Sequence, residues 1–158
     1  MDDLRRLNRR LIAASSAADG AYYRWARRSG VTFCTLDLLY ALDDGVPRSQ
    51  KQVCEEWGLP KTTLNTVVKA CREAGYLTLE TMPGQPRERW LRLTGAGMAY
   101  TREVLEDLYA AENTAMGEAV ERFGPAFVEA AAFFFARFQA AIDASLSEKA
   151  EKEETNSV

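Results

Sequence analysis

The feature that most constrains the fold is a change in the spacing of apolar residues at Gly75. Before this glycine, apolar side chains recur every three to four positions, which predicts an amphipathic helix that buries Leu64, Val67, Val68 and Cys71. After it, residues 76–82 (YLTLETM) and 89–93 (RWLRL) have the composition of strands, and PGQP between them is a turn. Gly75 suits the left-handed cap that would end the helix.

A second helix is predicted immediately before this one. Ser49 is a good N-cap for residues 50–57 (QKQVCEEW), and Gly58-Leu59-Pro60 reads as a tight turn. Helix, short turn, helix and two-stranded hairpin follow one another in the order of a winged helix-turn-helix. The sequence therefore predicts a mainly α fold with a small β-hairpin wing.

Long helical segments flank this motif. Residues 3–28 carry an apolar stripe, and residues from about 33 to 44 (FCTLDLLYALDD) form a further apolar helix, with Leu36, Leu39, Tyr40 and Leu42 pointing inward. Thr94-Gly95 opens a helix to about residue 120, Gly124-Pro125 breaks it, and a last helix spans about 126–146. Residues 148–158 are charged and lack aromatic residues, which predicts a disordered acidic tail.

Composition excludes several classes of protein. The chain has no histidine, and its three cysteines are widely spaced, so a zinc site, a disulfide framework and a histidine-based active site are not expected. We therefore expect neither an enzyme nor a cofactor. No run of about 18 apolar residues is present, and the N-terminus lacks a signal sequence, so we expect a cytoplasmic protein without a membrane anchor.

Charge is distributed unevenly along the chain. The net charge is −3, but residues 48–102 hold nine Lys and Arg against five Glu, whereas residues 103–158 hold four against twelve Asp and Glu. Polyanion binding is a local property, so the basic segment that contains the predicted motif is a candidate for contact with double-stranded DNA.

The polar side of helix 61–74 consists mainly of short hydrogen-bonding side chains, Thr and Asn, where a solvated helix face is usually built from Glu and Lys. Asn bonds adenine in bidentate fashion, Thr offers a hydroxyl and a methyl, and basic residues bind phosphate. Ser49, Gln50 and Lys51 at a helix N-terminus suit a phosphate. Arg87 and Arg89 at the wing tip suit phosphate or a minor groove. The predicted DNA-binding residues are Ser49, Gln50, Lys51, Lys61, Thr62, Thr63, Asn65, Thr66, Lys69, Arg87 and Arg89.

Residues 30–105 resemble the MarR family (multiple-antibiotic-resistance regulators) in the sequence SQKQVCEEWGLPKTTLNTVVKACREAGYLTLE…RERWLRLTGAGMAY, including the LT-x-x-G pattern of Leu93, Thr94 and Gly97. The resemblance implies a homodimer held by terminal helices, a pseudo-palindromic operator and a small effector that releases DNA. It implies the following organisation: an N-terminal dimerisation helix (1–30), a DNA-binding domain (31–100), C-terminal dimerisation helices (101–147) and the tail (148–158).

The sequence departs from the family pattern at three positions. Gln85 stands where the family has the Asp of a wing-tip Asp-x-Arg, although Arg87 matches the Arg. Thr66 stands where the family commonly has Arg, which makes Asn65 and Lys69 the better candidates for reading bases. Pro60 replaces the usual serine cap and is compatible with the first turn of a helix.

The resemblance also implies a pocket for a small aromatic effector, commonly a phenolic compound, and the candidate lining residues are Tyr22, Tyr23, Trp25, Phe33 and Tyr40. Core packing is the alternative for each of them. Cys34 lies near a helix start, where the helix dipole lowers a thiol pKa, so an oxidant-sensing regulator is a second hypothesis. A third is a winged helix used for protein–protein contact. The principal expectation is a ligand-responsive repressor.

Overall fold

The computed structural model describes residues 2–82 and 84–155. Its elements are α1 (Asp2–Arg28), α2 (Phe33–Leu42), β1 (Arg48–Ser49), α3 (Gln50–Trp57), α4 (Lys61–Glu73), β2 (Leu77–Met82), β3 (Gln85–Leu93), α5 (Gly95–Phe123) and α6 (Ala126–Thr155). The predicted class, mainly helical with a small β wing, is confirmed. The chain divides into two compact units between Tyr109 and Ala110.

The helix boundaries follow local capping chemistry. Thr32 caps α2 by accepting a hydrogen bond from the Thr35 amide. Gly58 ends α3 in the left-handed conformation, with φ of 63°, and Gly75 follows α4 with φ of 78°. Pro60 is the N-cap residue of α4 and makes no side-chain cap, so the missing serine costs a hydrogen bond but not the helix.

The sheet has three antiparallel strands in the order β1-β3-β2. β2 and β3 form the wing, with Leu77 opposite Leu93 and Thr81 opposite Arg89. The register then shifts, so that Met82 pairs with Gln85. β1 was absent from the sequence prediction because two residues, Arg-Ser, carry no strand pattern, and their pairing with β3 is a tertiary event.

Two apolar clusters form the core of residues 2–109, and α2 contributes to both. Leu38 packs with Val53, Leu64 and Leu91 in the cluster under the helix-turn-helix and the wing. Leu39, on another side of α2, packs with residues of α1 and α5. α2 is therefore buried on more than one face, which explains why its sequence is apolar almost throughout and shows little amphipathic contrast.

The junction between wing and α5 explains the LT-x-x-G pattern. The Thr94 hydroxyl donates to the Gly75 carbonyl at 2.7 Å and accepts from the Gly97 amide at 2.9 Å. A Cβ at Gly97 would lie 2.0 Å from the Tyr76 carbonyl oxygen. Thr94 thus links the end of α4 to the start of α5, and Gly97 allows the two backbones to approach closely.

Residues 110–155 form the second unit, built from the end of α5 and from α6. Many of its large apolar side chains are exposed, among them Phe133, Phe135, Phe138, Ile142 and Leu146. α6 continues to Thr155, through residues 148–155 that the sequence analysis assigned to a disordered tail, and Ala, Glu and Lys there are strong helix formers. Across the described residues, no single helix is long and apolar enough to cross a bilayer.

Candidate nucleic-acid interface

The polar face of α4 is exposed along its length. Leu64, Val67, Val68 and Cys71 are buried in the core beneath the helix. The opposite surface carries short polar groups and two cations, and its exposed members are Lys61, Thr62, Thr63, Asn65, Thr66 and Lys69. We call this set the α4 polar face; its side chains point away from the protein's own core.

Local contacts on the α4 polar face leave most of its hydrogen-bonding capacity available. The Thr66 hydroxyl donates to the Thr62 carbonyl at 3.2 Å, which uses its donor and leaves its lone pairs and methyl exposed. Lys69 Nζ lies 3.9 Å from a carboxylate oxygen of Glu73, with both side chains mostly exposed. Exposed pairs of this kind contribute about 0–1 kcal/mol, so Lys69 can leave Glu73 for a stronger anion.

Ser49 is misassigned among the predicted DNA contacts. It is 5% exposed, and its hydroxyl accepts a hydrogen bond from the Gln52 amide while the Gln52 side chain accepts from the Ser49 amide. This reciprocal capping box stabilises the start of α3 and occupies the Ser49 side chain. The sequence marks Ser49 correctly as a cap, and capping excludes it from the DNA-facing set.

The first turn of α3 keeps two of its predicted phosphate-binding residues accessible. Gln50 is half-buried, and Lys51 is exposed with its ammonium 3.8 Å from Glu55. An ammonium at a helix N-terminus, next to unpaired backbone amides, suits a phosphate oxygen. Gln50 and Lys51 remain candidates for a backbone contact.

The wing presents Arg89 to solvent on β3. Arg87 lies in the same strand, but its side chain falls outside the described residues, and so does that of Gln85. Further along β3, Arg92 Nε pairs with Glu80 of β2 at 2.9 Å. This ion pair links the two wing strands. Arg89, by contrast, forms no ion pair with another described residue.

Arg48 was overlooked in the sequence analysis, and it fixes the helix-turn-helix to the end of α2. Its guanidinium donates to the Ala41 carbonyl, to both Asp44 oxygens at 2.7 Å and to Glu56 at 2.9 Å. The hydrogen bonds from Arg48 lower the pKa of Asp44 to about 2. Arg48 thus hydrogen-bonds a carbonyl at the end of α2 and two carboxylates. These bonds position α3 and leave the guanidinium unavailable to DNA.

A comparison with protein-family models matches residues 29–88 to the MarR family. The matched segment contains α2, α3, α4, β2 and the start of β3, which include the α4 polar face. This segment is a MarR-family domain. The family and its winged-helix fold are those of DNA-binding transcriptional regulators, which are transcription factors rather than enzymes.

Solved structures share the fold over most of the chain. NMB1585, a MarR family regulator from Neisseria meningitidis, is 23% identical, with a TM-score of 0.70 over 94% of this chain and 99% of that one. BldR from Sulfolobus solfataricus is 16% identical, with a TM-score of 0.67 over 86% and 96%. NadR, solved in complex with 4-hydroxyphenylacetate, is 18% identical, with a TM-score of 0.59 over 79% and 92%. A search of curated proteins finds no match.

A cavity of about 590 Å³ beside the MarR-family domain contains four of the five predicted pocket residues. Tyr22, Tyr23, Phe33 and Tyr40 line it. Trp25 does not, because its indole donates to the Val104 carbonyl at 2.9 Å and its ring packs in the α1–α2–α5 cluster. Trp25 is therefore a core residue. Residues that the sequence analysis did not assign to the pocket complete the lining: Asp19, Leu36, Asp37 and Trp57.

A second cavity, of about 960 Å³, lies against α4 of the MarR-family domain. Three members of the α4 polar face line it: Thr62, Thr63 and Thr66. It shares Tyr23, Phe33 and Trp57 with the first cavity, so the same three aromatic side chains form part of both linings. This shared wall, Tyr23–Phe33–Trp57, connects the cavity lined by α1 and α2 to the cavity next to α4.

Cys34 does not have the reactive character expected from its place in the sequence. It is 7% exposed, and burial, followed by the nearby charge of Asp37, raises the pKa of its thiol. The prediction of a lowered pKa was wrong because desolvation outweighs the helix dipole. Cys71 is buried as expected, with its pKa also raised by burial. No group of three or more His, Cys, Asp or Glu suited to a metal occurs among the described residues.

Proposed function

We propose that the protein is a homodimeric transcriptional repressor that binds a pseudo-palindromic operator and releases it when a small aromatic effector binds. The observation that carries the proposal is the exposed α4 polar face, with Asn65 and Lys69 accessible and Arg89 of the wing exposed. A helix in this position of a helix-turn-helix enters the major groove, which is about 12 Å wide.

In this assignment each part of the motif has a distinct role. Asn65 and Lys69 read base edges, and the methyl and hydroxyl groups of Thr62 and Thr66 allow a close approach to the groove floor. Lys51 and Arg89 neutralise phosphates on either side of α4. Two subunits would place their α4 helices in grooves about one helical turn, or 10–10.5 bp, apart.

The exposed apolar side chains of α1 and α6 support the homodimer. Leu4 and Leu7 are more than half exposed on α1. On α6, residues at helical spacing form an exposed stripe made of Phe135, Phe138, Ile142 and Leu146. Contiguous apolar surface of this kind is characteristic of interfaces, and a homodimer would cover it twofold symmetrically.

The two cavities support an effector-responsive protein. Their volumes, about 590 and 960 Å³, lie in the range of small-molecule sites. Because Thr62, Thr63 and Thr66 line the larger one, a molecule that displaces the shared aromatic wall alters the surface from which α4 meets DNA. The complex of NadR with 4-hydroxyphenylacetate is a precedent for an aromatic ligand in this fold.

A mobility-shift experiment with DNA from upstream of the protein's own gene tests the proposal. We expect a discrete complex that specific competitor removes more readily than scrambled competitor. Affinity that rests on phosphate contacts falls as salt is added. With six or more such contacts, raising the salt concentration from 50 to 200 mM should weaken binding by about 10³-fold or more. A protein that binds no duplex at any salt concentration would contradict the proposal and favour a protein–protein interaction module.

A further inference from the structure

The 590 Å³ cavity, lined by residues of α1, α2 and α3, has the wrong charge for a phenolic acid. Asp19 of α1 and Asp37 of α2 line it, and the described lining residues include no lysine or arginine. Neither carboxylate forms an ion pair with another described residue. An anionic ligand entering this cavity would meet two negative charges without a compensating cation, and like charges disfavour one another strongly in a partly desolvated site.

Apart from Leu36, the remaining lining consists of aromatic rings. Tyr23 and Phe33 are stacked with centroids 4.4 Å apart, and Tyr40 and Trp57 are tilted against each other at 5.3 Å. Aromatic rings attract cations through their quadrupoles, and cages of such rings bind quaternary ammonium groups. The rings and the carboxylates therefore favour the same sign of ligand charge.

The environment of Asp37 supports this reading independently of the rings. Burial, together with the nearby charge of Asp19, raises the pKa of Asp37 to about 6. A carboxylate in such a setting is held at a cost that a bound cation would remove. A positive charge in the cavity would therefore lower the cost of ionising Asp37.

We infer that the effector site of this protein takes an organic cation, namely an aromatic or alkyl ammonium compound, rather than a phenolic acid. Asp19 and Asp37 balance its charge, and Tyr22, Tyr23, Tyr40 and Trp57 surround its apolar part. The inference rests on the proposed ligand response and specifies the chemical class that triggers it. Because Tyr23, Phe33 and Trp57 also line the cavity under α4, an ammonium compound seated here contacts the wall shared with the DNA-facing helix.

Calorimetric titration of the purified full chain without DNA tests the chemical class. The probes are benzyltrimethylammonium, benzyl alcohol and phenylacetate, which share a benzyl group and carry positive, zero and negative charge. We expect the cation to bind at least roughly tenfold more tightly than the other two, the ratio expected when cation–π and carboxylate contacts act together. Phenylacetate binding as tightly as the cation, or no detectable binding of the cation, would overturn the inference.

Charge-removing variants locate the site. Asp19→Asn and Asp37→Asn should each weaken binding of benzyltrimethylammonium several-fold and leave benzyl alcohol unchanged, whereas Asp107→Asn, at an exposed position on α5, is the matched control. Asp19 is exposed, so its variant remains informative even if Asp37→Asn alters folding. Cation affinity that is identical in all three variants would place the ligand elsewhere and refute the assignment.

The same preparations distinguish this inference from the proposed function. A protein that shifts its upstream DNA but fails to bind the cation contradicts the inference alone. A protein that binds the cation at this site but shifts no DNA contradicts the proposed function alone. When both hold, benzyltrimethylammonium should dissociate the DNA complex of the unaltered chain at concentrations that leave the Asp19→Asn/Asp37→Asn complex intact.

Discussion

At the scale of single residues, the environment decides chemistry that residue type alone leaves open. Cys34 and Asp37 are three positions apart on α2, and burial raises the pKa of both. For the cysteine this suppresses the thiolate and removes the basis for redox sensing. For the aspartate it creates a carboxylate whose ionisation is costly, in a cavity where a ligand can compensate.

Asp37→Asn should stabilise the protein in a pH-dependent way. The folded-state pKa of about 6 lies above the usual value of 3.8, so protonated Asp37 favours the folded state and this contribution is lost as pH rises through 6. Allowing for partial exposure, we expect the variant to be more stable by about 1–2 kcal/mol at pH 7.5. The difference should fall to roughly a third of that value at pH 4.5, which still lies above the unfolded pKa of 3.8.

Urea denaturation at both pH values, with protein concentration held constant, measures this effect. Asp107→Asn is the control, since it removes a charge of the same sign from the exposed surface of α5. A stability gain for Asp37→Asn that is the same at pH 4.5 and 7.5 would mean that ionisation of this carboxyl is not the cause.

Gly97→Ala should destabilise the fold. The added Cβ would lie 2.0 Å from the Tyr76 carbonyl oxygen, a backbone atom that cannot move without disturbing the end of α4. Overpacking of this kind costs about 1–3 kcal/mol. Thermal unfolding measures it, and Gly95→Ala is the matched control because a Cβ there meets nothing within 4 Å. Equal melting temperatures for the two variants would refute the close-approach explanation.

At the scale of elements, α4 and α2 show two ways in which a helix sequence reflects its surroundings. α4 has one buried and one exposed face, so its apolar period and its polar side could both be predicted. α2 is covered by two apolar clusters, and Leu38 and Ala41 are buried along with the expected Leu36 and Leu39. Periodicity weakens when more than one face is buried, because polar positions no longer mark the outside.

The α4 polar face should carry operator preference. Asn65→Ala/Lys69→Ala removes a bidentate amide and a cation, and we expect specific affinity to fall by about 10–100-fold or more, since each such contact contributes about 1–3 kcal/mol of discrimination. Competition mobility shifts with specific and scrambled duplexes measure the preference.

Asn113→Ala/Lys149→Ala is the matched control for this variant, because it removes the same residue types from exposed positions on α5 and α6. Both proteins should have far-ultraviolet circular dichroism like that of the unaltered chain. Full operator preference in the Asn65→Ala/Lys69→Ala protein would exclude α4 as the reading helix.

At the scale of the whole molecule, the distribution of apolar surface distinguishes the two units. Residues 2–109 contain two buried apolar clusters, whereas α6 in the second unit leaves Phe138 46% exposed and Leu146 59% exposed. A single chain thus presents an apolar stripe on α6 that its own described residues leave largely uncovered. We attribute this stripe to the proposed homodimer.

Phe138→Ser/Ile142→Ser should therefore shift the protein from dimer to monomer. The two side chains are four positions apart on one side of α6, and burial of each stabilises an interface by about 1.5–3 kcal/mol. Light scattering coupled to size exclusion gives the mass of each species. Gln139→Ser/Asp143→Ser, one residue further along the helix, should remain dimeric. A monomeric unaltered chain would refute the dimer.

The sequence by itself determined the order of the helices and of the two wing strands, and the two sides of α4, because these follow from local rules. The signals behind them act within a few residues of chain. They are the caps at Thr32 and Ser49, the left-handed glycines Gly58 and Gly75, and the spacing of apolar residues. The assignment of the α4 polar face rests on the same local signal.

Tertiary structure alone decided which side chains meet across distant parts of the chain. It paired β1 with β3, gave Arg48 its partners on α2 and α3, placed Trp25 in the core and brought Asp19, Asp37 and Trp57 around one cavity. It also buried Cys34 and raised the pKa of its thiol. Contacts and desolvation between residues far apart in sequence leave no periodic trace, so they become visible only when the chain is folded.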